Sequence, residues 1–166
     1  MAEAVKGIDR ILLMRPHSLR TTQAAGRLAF QTDHDTSSSV GADVTATKDG
    51  SIRSTSPAEK ELSLNSIMAR DDETRKKLVE AHELGELVEV WDIDKGSTPT
   101  GDKYAATYYQ GILTEWSETA AADGSVAISA SYAINGVGVR GEATLTADQK
   151  VVVQYDFKDT TIDTSV

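Results

Sequence analysis

The sequence predicts a mainly β fold: a β-sandwich or open barrel with one flanking α-helix and a long polar hairpin loop. Three observations carry that prediction. Only one stretch, DDETRKKLVEAHELG at 71–85, has both helix punctuation and helical spacing. Residues 125–134, SVAISASYAI, alternate, with Val126, Ile128, Ala130, Tyr132 and Ile134 on one face. Most of the remainder is short β-branched or apolar runs separated by Gly, Asp, Asn and Ser clusters.

Residues 8–14, IDRILLM, read as a first strand ended by Arg15-Pro16. Residues 28–31, LAFQ, read as a short second strand. Thr32–Ser56 is the longest stretch of low hydrophobicity, and Asp33-His34-Asp35 within it reads as Asx-type turns. Its centre, DVTATKDGSIRST at 43–55, has a hairpin signature: Lys48-Asp49-Gly50 sets an Asp-Gly turn between two polar, β-branched runs. These arms have so little to bury that the hairpin is either mobile or fastened to another chain. Residues 60–68, KELSLNSIM, read as a strand with Leu62 and Leu64 facing the same way.

The helix follows. Asp71 can cap its start, Asp72 and Glu73 sit in the first turn, and Lys76, Lys77 and His82 come later, the charge order the helix dipole favours. Leu78, Ala81, His82 and Gly85 share a face, and Gly85 stands where a left-handed residue ends a helix. In ELVEVWDI, 86–93, apolar residues occupy both parities, as in a strand covered on both sides. After the turn-forming linker 94–102, YAATYYQGILTEWSE reads as a strand with a kink or bulge at Gly111. Ala120–Gly124 makes a turn into the alternating strand. The opposite face of that strand carries only Ala127, Ser129, Ser131 and Ala133. Such a face suits contact with another surface, the wall of a channel, or a covered second side of the sheet. NGVGVRG, 135–141, is a glycine-rich connection; GEATLT and KVVVQYDF read as two further strands, and a polar tail closes the chain. The elements make one domain over 1–166, with a core over about 5–157 and a tail at 158–166.

Composition narrows the function. A chain of 166 residues can bury a core of its own, but 39% hydrophobic and 5% aromatic content makes that core thin. The absence of cysteine removes disulfides, thiolate metal sites and thiol nucleophiles. No apolar run approaches the roughly 20 residues of a membrane span, and MAEAVKGIDR lacks a secretory pattern, so a soluble protein made in a cytoplasm is expected. Residues 1–31 carry five cations against two acids, a net of +3, which leaves −12 on the rest of a chain whose total is −9. An acidic body argues against nucleic-acid binding. A basic limb holding Arg10, Arg15, Arg20 and Arg27 on that body suits head-to-tail association of identical chains, or is simply a solvated surface.

No catalytic, cofactor or metal site emerges. Asp33-His34-Asp35 has no second histidine at ligand spacing. The loop starting at Asp92 resembles a calcium loop only until its twelfth position, where Lys103 replaces the required glutamate. His17, His34 and His82 are widely separated and no nucleophile elbow is present. Trp91, Trp116, Tyr104, Tyr108 and Tyr109 could line a sugar platform, which makes a carbohydrate- or cell-surface-binding β-sandwich the alternative function.

The succession GIDRILLM, FQTDHD, TKDGSIRS, DDETRKKLVEAHELGELVEVWDID, DKYAATYYQGILTEWS and GSVAISASYAINGVG resembles the major tail (tail tube) proteins of long non-contractile-tailed phages of Gram-positive bacteria. The resemblance spans roughly residues 5–140 and rests on Phe30-Gln31-Thr32-Asp33, Thr47-Lys48-Asp49-Gly50 and Ala81–Glu86. Glu86 stands where lysine is common, and the region after Gly141 matches less well. The resemblance implies a structural virion protein, assembled in the host cytoplasm as stacked hexameric rings around a lumen. Tape-measure and tail terminator or initiator proteins are its implied partners, and DNA would pass without specific binding. It further implies subunit or ring contacts through the hairpin, here Asp43, Thr45, Lys48, Asp49, Gly50, Ser51 and Arg53. A tube protein of a contractile or secretion system would share the fold.

Overall fold

The structure, a computed structural model, describes residues 2–150 and 160. The strand expected over KVVVQYDF lies, beyond Lys150, outside the described residues, as does the expected tail apart from Thr160. Strand β1 (Arg10–Pro16) is followed by β2 (Gln31–Ser39), β3 (Ala42–Thr47), β4 (Gly50–Thr55) and β5 (Glu59–Ile67). Helix α1 (Glu73–Leu84) leads into β6 (Val88–Asp94), β7 (Lys103–Thr119), β8 (Ala127–Ile134), β9 (Val139–Thr144) and a single turn of helix, α2 (Ala147–Lys150). Seven strands form one antiparallel sheet in the order β1-β6-β7-β8-β5-β2, with β9 continuing the line of β8 along β7. The β3–β4 hairpin is a separate two-stranded sheet.

Alternation sorts the side chains onto two faces. The inner face buries Leu12, Met14, Val88, Val90, Tyr109, Leu113, Ala130, Tyr132, Leu62 and Leu64, and α1 packs Leu78 and Ala81 onto it. Burial pushes the Tyr132 phenol far up, and its hydroxyl donates to the Val88 carbonyl at 2.6 Å. On the outer face of β1, β6, β7 and β9 a second cluster gathers Ile11, Leu13, Ile93 and Leu145, with Trp91 and Tyr104 against it. β6 is therefore covered on both sides, as its mixed parity predicts.

The helix ends where the sequence places its stop. Gly85 adopts φ +66°, and the Glu86 N–H reaches back to the Ala81 carbonyl at 2.9 Å. Its start is one residue later than expected. Asp72, not Asp71, is the cap, accepting from the N–H groups of Thr74 (3.1 Å) and Arg75 (3.3 Å), while Asp71 takes φ +61° just outside. The other Asp72 oxygen accepts from Ala29 N–H at 3.0 Å, which pins the incoming loop to the helix. Gly85→Val is expected to cost about 1 kcal/mol or more, because a β-branched residue is strained in the left-handed region. Thermal unfolding checks this; an unchanged midpoint would remove the strain argument.

Several strand expectations need correction. β1 runs through Arg15-Pro16 rather than ending before them, pairing these residues with Glu89 and Val88 of β6. Residues 28–31 are not a strand: Leu28 is a buried loop residue, Phe30 takes φ +51°, and Gln31 opens β2 instead. β2 then runs through Asp33-His34-Asp35, which are strand residues rather than turns, held by their ladder with β5. In β7 the ladder irregularity falls between Leu113 and Glu115, not at Gly111. Gly111 is needed for a different reason, a close approach of β8, whose Ala133 carbonyl oxygen lies 1.9 Å from where a Cβ would stand.

The sheet stays open, since no ladder joins β1 to β2 among the described residues. Its ends nevertheless meet. The Gln31 side chain accepts from Leu12 N–H at 3.1 Å and donates to the Leu12 carbonyl at 2.8 Å, standing in for a paired strand residue. Met14 and Gly26 exchange both backbone bonds (2.8 and 3.0 Å). The outward bonding edge of β1 is thereby occupied at both Leu12 and Met14.

Candidate assembly site

The hairpin is as polar and exposed as its sequence suggests: every residue of β3 and β4 is exposed. Lys48 and Asp49 form the loop between the paired Thr47 and Gly50, and Gly50 takes φ +126°. Thr47 Oγ1 donates to the Gly50 carbonyl at 2.6 Å and accepts from Asp49 N–H, which stiffens the tip. Alternation divides the candidate residues: Asp43 and Thr45 lie on one face, Ser51 and Arg53 on the other. Sequence reasoning missed Val44 and Ile52, exposed apolar residues on opposite faces of the hairpin. Their signal was present, as lone large aliphatic residues inside otherwise polar arms.

The four limb arginines have different surroundings. Arg10 pairs with Asp92 of β6 through two nitrogens. Arg15 donates to Glu89 from Nε (2.9 Å) and Nη2 (2.8 Å), and from Nη1 to the Gln23 carbonyl. Arg20 donates to the His17 carbonyl at 3.1 Å, and Arg27 is exposed. Glu89 and Asp92 of β6 are both buried and each adds a histidine: His17 Nδ1 lies 3.2 Å from Glu89, and His34 Nε2 lies 3.3 Å from Asp92. Glu89 also accepts from the Tyr108 hydroxyl at 2.6 Å. Burial pushes the Glu89 carboxyl up, but hydrogen bonds from Tyr108, Arg15 and His17 outweigh it and hold it below the ordinary carboxylate range. At Asp92 burial is likewise outweighed, by His34 and Arg10.

Strand alternation also separates the Asp33-His34-Asp35 group. His34 turns inward to Asp92, whereas Asp33 and Asp35 share the outer parity. The candidate sugar-platform aromatics are divided as well. Tyr109 and Trp116 belong to the inner core, and Tyr104 and Trp91 to the outer cluster, where Trp91 lies tilted at 41° against Tyr108, with ring centroids 5.1 Å apart, beneath Arg15.

One surface stands out. On the outer parity of β2, β5, β8 and the second half of β7 lie Asp33, Asp35, Glu61, Ser63, Asn65, Ser129, Ser131, Ala133 and Glu115, with no lysine, arginine or histidine among them. A groove of about 370 Å³ crosses it, lined by Asp35, Glu61, Ser63, Glu115 and Ser131. This four-stranded patch ends in two unpaired edges among the described residues: β2 pairs only with β5, and residues 112–119 of β7 pair only with β8.

A family model described as phage tail tube protein matches residues 4–140. The chain belongs to the phage tail tube protein family. Its role is structural, in the tube of a virion tail. A protein named as a tail protein of Staphylococcus phage phiMR25 is 28% identical over 167 residues, covering 97% of this chain and 86% of that one. The SPP1 tail tube subunit shares the fold, with a TM-score of 0.77 at 19% identity over 93% of this chain and 91% of that chain. The tail subunit of a gene transfer agent particle, solved with C6 symmetry, has a TM-score of 0.63 at 13% identity, covering 86% of this chain and all of that one.

Proposed function

We propose that this tail tube protein forms hexameric rings by pairing the free β2 edge of one copy with the free β7 edge of the next, and that the rings stack into the tube. The observation that carries this reading is the four-stranded patch with two open edges and an outer face without a cation. Unlike edges that meet around an axis close a ring rather than an isologous pair. Six such patches make one continuous barrel, the symmetry being that of the gene transfer agent tail. The acid-only face then lines the lumen, where it repels phosphate, and DNA slides through without specific binding. Small side chains at Ser129, Ser131 and Ala133 keep that wall smooth.

In this reading the hairpin is completed by a neighbouring subunit or ring, with Asp43, Thr45, Lys48, Asp49, Gly50, Ser51 and Arg53 at the contact. The basic limb meets an acidic neighbour through Arg20 and Arg27, the two limb arginines not paired to a β6 carboxylate. A tape-measure protein occupies the lumen during assembly in the host cytoplasm, terminator and initiator proteins bound the tube, and the tail is non-contractile.

Negative-stain electron microscopy of the purified chain across a concentration series tests the reading, with tubes around a stain-filled hole as the expected result. Lys48→Glu with Arg53→Glu is expected to leave the unfolding midpoint of the dispersed subunit unchanged and to abolish tubes. Normal tubes from that double variant would remove the hairpin from the interface.

A further inference from the structure

We infer that Phe30 is an axial docking residue whose aromatic side chain seats on the opposite end of a second copy of this chain. The inference rests on the stacked-tube reading above. Among the described residues only Phe30 and Asp71 combine a side chain with positive φ, at +51° and +61°. Aspartate is short and tolerates that region, whereas a bulky phenylalanine is strained there. The strain is held in place from both sides. Asp72 pins the Ala29 N–H, Gln31 is clasped to Leu12, and the Phe30 carbonyl itself accepts from Ile67 N–H at 3.1 Å.

Phe30 gives the subunit little in return for that strain. It is 47% exposed, and Leu28, two residues earlier, already fills the core at this corner. Single exposed apolar residues are ordinary. An exposed aromatic residue kept in a strained conformation that its neighbours enforce is not, and this is the description of a contact waiting for its partner. Ile67, 39% exposed and bonded to the Phe30 carbonyl, extends the apolar patch.

Position identifies the partner as a second copy. Phe30 and Ile67 lie at the end of the four-stranded patch where β2 begins and β5 finishes. At the other end of the same strands are Val40, just past β2, and Val137, just past β8, 51% and 55% exposed. Lys60 Nζ donates to the Val137 carbonyl at 3.1 Å and fixes that loop against β5. When copies stack along the barrel axis, one end meets the other in a heterologous contact that repeats without closing. Phe30 then packs against Val40 and Val137 of the next ring.

Phe30→Asn tests this, because asparagine tolerates the left-handed region and removes only the aromatic side chain. Two measurements are made on wild type and variant: thermal unfolding of the dispersed subunit, and electron microscopy across a concentration series. The expected result is a midpoint no lower than wild type, with the concentration needed for tubes raised at least about tenfold. Below that concentration, particles are no longer than one ring. The variant keeps its Val40 and Val137 end, so a small fraction of it mixed into wild type caps tubes and shortens them. Val137→Asp should block stacking from the other side. Tubes from Phe30→Asn at wild-type concentration, or a midpoint well below wild type, would overturn the inference while leaving the tube reading intact. If wild type itself forms no tubes at any concentration, both fall together.

Discussion

Gly111→Ala is expected to lower the stability of the dispersed subunit by about 3 kcal/mol, among the largest effects of any single methyl group in this chain. At Gly111, β7 pairs with Val88 of β6 on one edge and Ile134 of β8 on the other, so it cannot give way to either side. A Cβ there would meet the Ala133 carbonyl oxygen at 1.9 Å and its carbon at 2.9 Å. Those are backbone atoms in a ladder, so relief requires moving β8 and with it the core around Tyr132. For a chain of this size the midpoint falls by about 6–12 °C. Gly141→Ala supplies the control, since a Cβ at that position of β9 meets nothing within 4 Å. It should stay within about 0.5 kcal/mol of wild type. Equal losses at the two sites would show that the cause is glycine chemistry in general and not the close approach.

The same glycine shows how far the sequence could be read. Its presence in the middle of a strand was visible, but a glycine there signals a bulge or a close approach alike, and only the position of β8 decides between them. Features written by neighbouring residues were legible: the left-handed Gly85, the hairpin (though its loop is Lys48-Asp49, one residue before the expected Asp-Gly turn), and the alternation that sends Ile128, Ala130 and Tyr132 into the core. β2 was not, for a physical reason. Its inward residues are His34, Thr36 and Ser38, so it has no hydrophobic period to detect. It exists because β5 lends it a ladder and Asp92 accepts its histidine. The acid-only face was invisible for a related reason. Asp33, Asp35, Glu61 and Glu115 come from three strands, and only the order β2-β5-β8-β7 brings them together. Counting charges along the chain found the limb arginines but not the partners of Arg10 and Arg15, which lie 82 and 74 residues away.

Those partners set the second large effect. Glu89→Ala is expected to cost about 3 kcal/mol at pH 7, the lower end of the range for breaking a buried ion pair. The lower end applies because Arg15 keeps the Gln23 carbonyl at 3.0 Å and some access to solvent. The loss remains large because Tyr108 is also left without its acceptor, and its hydroxyl keeps only the bond it accepts from Gln110 Nε2 at 2.8 Å. The effect should depend on pH with a definite sign. The folded carboxyl sits below its ordinary range, so its contribution is complete above the unfolded value of about 4.3 and is lost as pH falls through the folded value. Urea titrations of wild type and Glu89→Ala, at concentrations too low for tubes, should run parallel at pH 7 and pH 5 and converge below about pH 4. A gap that stays constant to pH 3 would mean that the side chain stabilises by filling space rather than by its charge. A cycle with Arg15→Ala separates the two causes further. If the ion pair carries the effect, the double variant costs far less than the sum of the single losses.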